Sequence, residues 1–489
     1  MKIFGKEIQR ATLYNFHSWM GLITGFLMIL IAVSGSIAVF NDEIEWLATP
    51  EIRADPAKEL VSVDKITKSI RTDYDQSSFE IFFPPGNHWT YSAETTTEQG
   101  ALNLLFDPGS GQITKVRPRG GYTWSLSFWI RQFHVRLLMG LWGRVFVGIF
   151  GVTLIISCIT GLLVYRNWIK SMFQLRRDRR PRVFYMDLHK LIGFWSLIFN
   201  IMIGFTGAFL GLENLYNQIQ RKWLDPPTQT QVISQEVTPQ SPDTSQPQTE
   251  ILLASTLISR AQSHFPQMKI TRISFPRFDP NRTDPIVIRG DHPGPLIATG
   301  QSRVIIDPYS GNVLSSLDAR EVDTPSFLYN MLDPLHHGYL GKEFGSYIKY
   351  LIKTLWAILG LTPGILAITG SMMWWMRNRR RTATQGQPTK VRTAWEYGLL
   401  GSLPFLVLGY AIQATIWRNG WNLDLEMLQH WLVKPISLMA ACFPVTVYLY
   451  NRSVKNVQTL ISQGTSLWLT PGAIGFLGLW YVLTSCLLN

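Results

Sequence analysis

Residues 13–40, LYNFHSWMGLITGFLMILIAVSGSIAVF, decide the fold. From 19 to 40 the stretch carries no charged side chain, and an apolar run of about 20 residues is what a helix needs to cross the hydrocarbon core of a bilayer. The small residues of SGSIA resemble a signal-peptide cleavage site, but the run exceeds the roughly 7–15 apolar residues of a signal sequence, so a retained span is expected. The same pattern returns at 185–211, YMDLHKLIGFWSLIFNIMIGFTGAFLG: a histidine, a glycine four residues on, then an apolar run closing on small residues.

A second pair of stretches repeats in the same way. FHVRLLMGLWGRVFVGIFGVTLIISCITGLLVY (133–165) resembles LHHGYLGKEFGSYIKYLIKTLWAILGLTPGILAITGSMMWW (335–375), and each closes on Ile-Thr-Gly. Between the apolar runs lie polar segments that echo one another as well, in LLFDPGSGQITKV (104–116) and VIIDPYSGNVLSS (304–316). Each reads as strand, turn, strand, because Pro presets the turn and Gly supplies the positive φ that the return needs. A helical pattern precedes each, at 63–74 and 253–265. The chain is therefore a tandem duplication of span, small α+β segment, span.

Composition agrees. Of 489 residues only 16% are charged and 46% are hydrophobic, against about 25% charged in an average soluble domain. The net charge of +12 is concentrated beside the apolar runs: Lys2, Lys6 and Arg10; 166–182; 377–392; and Arg452 with Lys455. That is the positive-inside pattern of a multispanning protein rather than a nucleic-acid surface, so no nucleic-acid partner is expected. Seven spans are predicted, near 19–40, 137–165, 191–212, 347–376, 397–416, 432–450 and 471–488. The N-terminus is placed on the cytoplasmic side and the two polar segments outside. The expected organisation is span 1 in 1–40, an outer α+β domain in 41–130, spans 2 and 3 in 131–212, and a second outer domain in 213–335. Within that second domain 225–250 reads as a Pro/Gln/Ser/Thr-rich linker. Span 4 follows in 336–381 and three further spans in 382–489. The fold class is thus a mainly α membrane protein with two small α+β outer domains.

The three cysteines, Cys158, Cys442 and Cys486, are scattered in apolar runs and form no C-x-x-C or C-x-x-C-H motif, which removes disulfide frameworks, zinc ribbons and c-type heme. Four of nine histidines hold equivalent places in the duplication: His17, His134, His189, and His336 or His337. Alternating helix direction puts His17 and His189 near one face and His134 and His336 near the other. Two neutral imidazoles from facing helices suit a bis-His heme, and Gly21 and Gly193, one turn after His17 and His189, leave room beside the helix for a flat ring. A bare ion would be left short of ligands by two histidines, whereas porphyrin supplies four more. A structural, interfacial role for the histidines is the other reading, since a duplication copies bland residues as readily as ligands. Arg136, Arg144 and Lys190 lie near the histidine-bearing ends and suit either heme propionates or lipid headgroups. His88, His264 and His292 read as surface residues of the outer domains, and His430 as an outer residue before span 6. No side chain is singled out as catalytic in itself.

At these residues the chain resembles the PepSY-associated transmembrane family, which includes iron-regulated membrane proteins and siderophore reductases of bacterial inner membranes. The resemblance rests on Phe16-His17 with Trp19 and Gly21; Phe133-His134 with Gly140 and Gly143-Arg144; and Asp187-Leu188-His189 with Gly193. It rests also on Leu335-His336-His337-Gly338 with Ile368-Thr369-Gly370, and on the two Asp-Pro-x-Ser-Gly hairpins. It implies two b-type hemes, one on His17 and His189 and one on His134 and His336, in a reductase that converts a ferric siderophore to the ferrous state on the periplasmic side. The electron donor implied is a quinol or a cytoplasmic reductase, since no flavin or nicotinamide fingerprint is present. Two departures stand out. The gap from His336 to Ile-Thr-Gly is about two helical turns longer than its counterpart, which leaves His337 as an alternative to His336. The spans after 382 are additional to the repeat. The rival reading is a non-enzymatic siderophore- or peptide-binding transporter or sensor, or an electron-transfer protein with another periplasmic acceptor.

Overall fold

The computed structural model describes residues 2–385 apart from 4–5, 8, 76, 99, 120–125, 138–139, 166–168, 170–171, 178–179, 220–250, 278–283, 293–299 and 341–345. The linker 225–250, the three C-terminal spans and His430 lie outside the described residues. In chain order the helices are α1 (Arg10–Ala38), α2 (Asn41–Ala48), α3 (Val63–Asp73), α4 (Leu126–Arg136), α5 (Gly140–Val164) and α6 (Pro181–Trp195). They continue with α7 (Leu197–Ile219), α8 (Ala254–His264), α9 (Thr324–His337), α10 (Ser346–Gly360) and α11 (Thr362–Gln385). Besides a short pair, Lys2–Ile3 with Lys6–Glu7, the strands are β1 (Ser78–Phe82), β2 (Ser92–Thr97), β3 (Gly100–Phe106), β4 (Ile113–Arg119), β5 (Lys269–Phe275), β6 (Ile286–Asp291), β7 (Ser302–Ile306) and β8 (Val313–Leu317). They form two units. One is helical (Met1–Ala38, Ile130–Asn217 and the described residues from Trp356 onward); the other holds the sheet (Val39–Trp129 and Gln218–Leu355).

Among the described residues three helical stretches are long and apolar enough to cross a membrane, Gly143–Val164, Leu197–Asn217 and Ser346–Arg377. A fourth counts if the pair Arg10–Gly25 and Leu27–Ala38, bent by 60° within α1, is taken as one span. In Ser346–Arg377 the joint between α10 and α11 falls at Leu361, just ahead of Pro363, where a proline is tolerated because first-turn N–H groups have no helical partner anyway. In the helical unit α1 packs against α5 and α11, and α6 packs against α11. One chain of buried polar groups there is paired: Thr362 Oγ1 donates to Asn200 Oδ1 at 2.9 Å, and Asn200 Nδ2 donates to Ser196 Oγ at 2.9 Å. Such pairing is what a polar side chain needs in an apolar interior.

The sheet unit has eight antiparallel strands in the order β8-β7-β6-β5-β1-β2-β3-β4. The two α+β segments are thus not separate sheets: β1 pairs with β5, Phe79 opposite Phe275 and Ile81 opposite Ile273. Alternate residues turn to one face, where Ile81, Leu104, Ile273, Ile288 and Val304 are fully buried, as the period of two requires. Helices α3 and α8 cover that face with Ile66, Ile70, Leu257 and Ala261, residues at helical i, i+4 spacing. Asp64 of α3 accepts from the backbone N–H of Ser255 at 2.9 Å and from its hydroxyl at 2.6 Å, capping the first turn of α8. In both hairpin turns the aspartate does the same locally. Asp107 Oδ1 accepts from Ser110 N at 2.7 Å and Asp307 Oδ1 from Ser310 N at 2.7 Å, with Gly111 and Gly311 at φ 75° and 71°.

One reading from sequence is corrected here. His292 is not a surface residue but is buried, its Nδ1 2.8 Å from Ser302 Oγ and 3.4 Å from Asp318 Oδ1, with Asp291, Arg320 and the Phe265 ring around it. His88 and His264 are exposed as read. Burial pushes His292 below its ordinary value, and hydrogen bonds from Arg320 hold the Asp318 carboxyl below the usual carboxylate range. Both native values lie below the unfolded ones, so on acidification the unfolded chain takes up protons first. The His292 contribution is complete above about pH 6.5 and falls as pH drops below it; that of Asp318 falls below about pH 4. Hydrogen exchange on the intact protein, corrected for intrinsic rates, is expected to show weaker protection of β6 and β7 at pH 5 than at pH 7. His292→Gln is expected to remove most of that change; equal protection at the two pH values would contradict it.

Candidate functional site

The structure brings His17 and His189 together. Their ring centres are 6.3 Å apart and the ring planes stand at 81°. Each ring is held by the threonine of an Ile-Thr-Gly motif: His17 Nδ1 lies 3.0 Å from Thr160 Oγ1, and His189 Nδ1 lies 2.9 Å from Thr369 Oγ1. The tautomer follows from proton counting. Thr160 donates its single hydroxyl proton to the Ile156 carbonyl at 2.7 Å, and Thr369 donates its own to Ile365 at 2.8 Å. With the hydroxyl protons placed there, each hydroxyl accepts from the imidazole, which assigns the proton to Nδ1 and the lone pair to Nε2. The glycine of each motif faces the ring, closely at Gly161 and at ordinary contact distance at Gly370. A Cβ on Gly161 would stand 3.2 Å from His17 Cε1, and one on Gly370 3.5 Å from His189 Cε1.

His134 is held differently. Its Nδ1 donates to the Ile31 carbonyl at 3.0 Å, a group that only accepts, so this ring too presents an unprotonated Nε2. The ring lies against Gly35 of the SGSIA stretch, where a Cβ would come within 2.6 Å of His134 Cε1. His134 lies ahead of the span at 137–165, on a helix of its own. It sits in the last turn of α4, which ends at Arg136 and is followed by Leu137, a non-glycine residue at φ 45°, before α5 begins at Gly140. His336 and His337 close α9 in a similar way, with Gly338 at φ 71° as its left-handed cap. His337 Nδ1 donates to the Asp333 carbonyl of its own helix at 3.0 Å, and its ring stacks on Tyr339.

The basic candidates divide. Lys190 is engaged by Asp187 at 3.3 Å and lies over the Tyr165 ring, while Asp187, buried, accepts from the Arg176 guanidinium at 2.8 and 2.9 Å. Arg144 donates Nε to the Leu210 carbonyl at 2.8 Å. Arg136, two residues beyond His134, has its Nε enclosed with no hydrogen-bond partner among the described residues. Arg377 Nε is in the same state, its Nη1 donating to the Tyr14 hydroxyl at 2.9 Å.

These residues fit a bis-imidazole metalloporphyrin. With metal–imidazole bonds of about 2.0–2.1 Å and a ring centre roughly 1.1–1.2 Å behind each nitrogen, two imidazoles sharing one metal stand about 6–6.5 Å apart, the range in which His17 and His189 fall. A Cβ on Gly21 would meet nothing within 4 Å, which leaves open space one turn from His17, while Gly193 is in ordinary contact with Leu366. The enclosed Arg136 Nε suits an anionic substituent.

The threonines were the residues that sequence reasoning passed over: Ile-Thr-Gly marked the end of a repeat, and its repetition was the signal that it served the histidines. Thr160→Val, which keeps shape and removes the acceptor, is expected to weaken retention of the bound group about 10–100-fold and to shift its midpoint potential, with Thr160→Ser close to wild type. Identical retention and potential in the valine variant would contradict this.

Comparison with known proteins gives the context. Residues 14–377 match the family model of the PepSY-associated TM region, a span that includes all the histidine-bearing repeats. A stretch of 82 residues is 43% identical to an uncharacterized protein of Pseudomonas aeruginosa, covering 17% of this chain and 21% of that protein. The chain thus spans about a fifth of that relative's length in the matched region. With most of its length matched and with helices apolar enough to cross a bilayer, the chain is a membrane protein that belongs to the PepSY-associated transmembrane family.

Proposed function

We propose that this protein is a heme-dependent oxidoreductase of a bacterial inner membrane that reduces a ferric siderophore to the ferrous state on the periplasmic side. The observation that carries the reading is the His17–His189 pair, at 6.3 Å and with both Nδ1 positions tied to repeat-equivalent threonines. Bound b-type heme supplies one-electron chemistry at such a pair. The chain's own part is to hold two Nε2 lone pairs toward one metal, to keep Nδ1 protonated through Thr160 and Thr369, and to leave room at Gly161 and Gly21. A second heme is proposed on His134 and His336, with His337 as the alternative, on the strength of the duplication. Arg136 is the preferred propionate partner there because its Nε is otherwise unspent, whereas Arg144 is already committed to the Leu210 carbonyl. Reduction serves release: hard oxygen ligands hold Fe(III) tightly and Fe(II) weakly, so the carrier need not be cut. The orientation proposed, N-terminus cytoplasmic and sheet unit periplasmic, rests on the basic loops. The electron donor in this reading is a quinol or a cytoplasmic reductase.

The test is an absorbance scan of purified protein before and after dithionite. Low-spin b-type bands at about two hemes per chain, reoxidised on adding a ferric siderophore, are expected. A heme-free preparation that binds siderophore would instead favour a transporter or sensor.

A further inference from the structure

The face of the sheet turned away from α3 and α8 carries a row of three arginines on neighbouring strands. Arg272 of β5 stands opposite Arg289 of β6, and Arg289 stands opposite Arg303 of β7. Their chain neighbours Ile273, Ile288 and Val304 are fully buried on the helix-covered side, so the guanidinium stems leave from the other face. A bulge between Ile270 and Arg272 resets the alternation and puts Arg272 in this row. All three are half-buried.

Like charges placed directly opposite on adjacent strands destabilise a sheet, and compensation is partial. Glu80 Oε2 is 3.6 Å from Arg272 Nη1. The Arg289 guanidinium makes no hydrogen bond or ion pair among the described residues, although it sits between two cations; burial and both neighbours disfavour its charge, and Glu80 offsets part of this. The scaffold does not require this. In the first half of the duplication the matching row is Glu80, Glu94 and Asn103, with Asn103 and Arg303 each four residues before their Asp-Pro turns. The same sheet position is thus built without cations once, and with three of them the second time.

We propose that Arg272, Arg289 and Arg303 form a binding row for a small polyanion, and that the ferric chelate handled by this protein is an anionic one bearing free carboxylates. The second half of the statement rests on the reductase reading above; the first does not. The planar guanidinium matches a carboxylate in two parallel hydrogen bonds. Strands about 4.8 Å apart give a charged line of roughly 10 Å, longer than one simple anion and suited to two or three oxyanion groups. Lipid phosphate has the same chemistry, and the experiment separates the two sources.

Gallium(III) citrate, a redox-inert probe, is titrated calorimetrically into the full chain in nanodiscs of neutral lipid. Saturable binding is expected, weakening with added salt and at least about tenfold weaker in Arg289→Gln. A neutral gallium trihydroxamate is expected to bind at least about tenfold more weakly than citrate. Nanodiscs containing anionic lipid are expected to leave citrate affinity unchanged; its loss there would assign the row to headgroups and overturn the chelate. Absent binding to wild type, salt-independent binding, or equal affinity in Arg289→Gln overturns the row even where the heme spectrum is normal. Heme-free protein that still binds citrate through Arg289 overturns the reductase reading and keeps the row.

Discussion

Replacing His189 with alanine is expected to leave the purified protein with about one heme per chain instead of about two. His189 and His17 face each other at 6.3 Å and are the two imidazoles whose spacing suits one shared metal. Removing either leaves a single imidazole to hold the group and a cavity where the removed ring stood. The ion pairs beside His189 do not depend on its ring, since Asp187 keeps its bonds to Arg176 and Lys190 keeps its contacts with Asp187 and Tyr165, while Thr369 keeps its bond to the Ile365 carbonyl. The loss should therefore register in the spectrum before it registers in folding. His17→Ala is expected to give the same product, and the double variant little more, because the two residues act as one unit. The low-spin bands should fall to about half their amplitude while the remainder keeps its midpoint potential. Two single variants that both retain the full heme complement would remove the basis of the proposed function.

Gly151→Leu is expected to prevent the helical unit from assembling. A Cβ on Gly151 would lie 2.6 Å from the Gly204 carbonyl oxygen and 2.6 Å from the Ala208 nitrogen, and one on Gly211 would lie 2.5 Å from Gly148 Cα. Helices α5 and α7 therefore meet backbone to backbone, which small residues permit and which drives association where lipid removes any hydrophobic incentive. Overpacking costs about 1–3 kcal/mol where side chains can yield; backbone on both sides cannot, so the helices must part. Size-exclusion profiles in detergent should show folded yield collapsing for Gly151→Leu and holding for Gly21→Ala, whose Cβ meets nothing within 4 Å. Equal yields for the two variants would contradict the contact.

What could be read in the sequence is what the duplication says twice. The histidine-bearing stretches, the Ile-Thr-Gly motifs and the Asp-Pro hairpins each occur in two copies. Their residue types carry local chemistry: a ligand nitrogen, a turn, a positive φ. What could not be read is what depends on residues far apart along the chain. Thr160 serves a histidine 143 positions away, and Thr369 one 180 positions away. The break after His134 was hidden because Leu137 adopts φ 45° with no glycine or proline to announce it. His292 reads as polar and therefore exposed; only the strands that bring Ser302 and Asp318 to it make its burial tolerable. The pairing of β1 with β5 left no mark, since hydrogen bonding between strands uses backbone groups that every residue shares.

That pairing bears on solubility. Two separate four-stranded sheets would expose four unsatisfied flanks, each a template for another chain; joining them through Phe79 and Phe275 leaves two. Of these, Ile113–Arg119 is guarded by Lys115, Arg117 and Pro118, and Val313–Leu317 is only five residues long. Duplication has thus halved the chain's liability to stick to its neighbours, and the remaining flanks carry the gatekeepers that keep such sheets from growing.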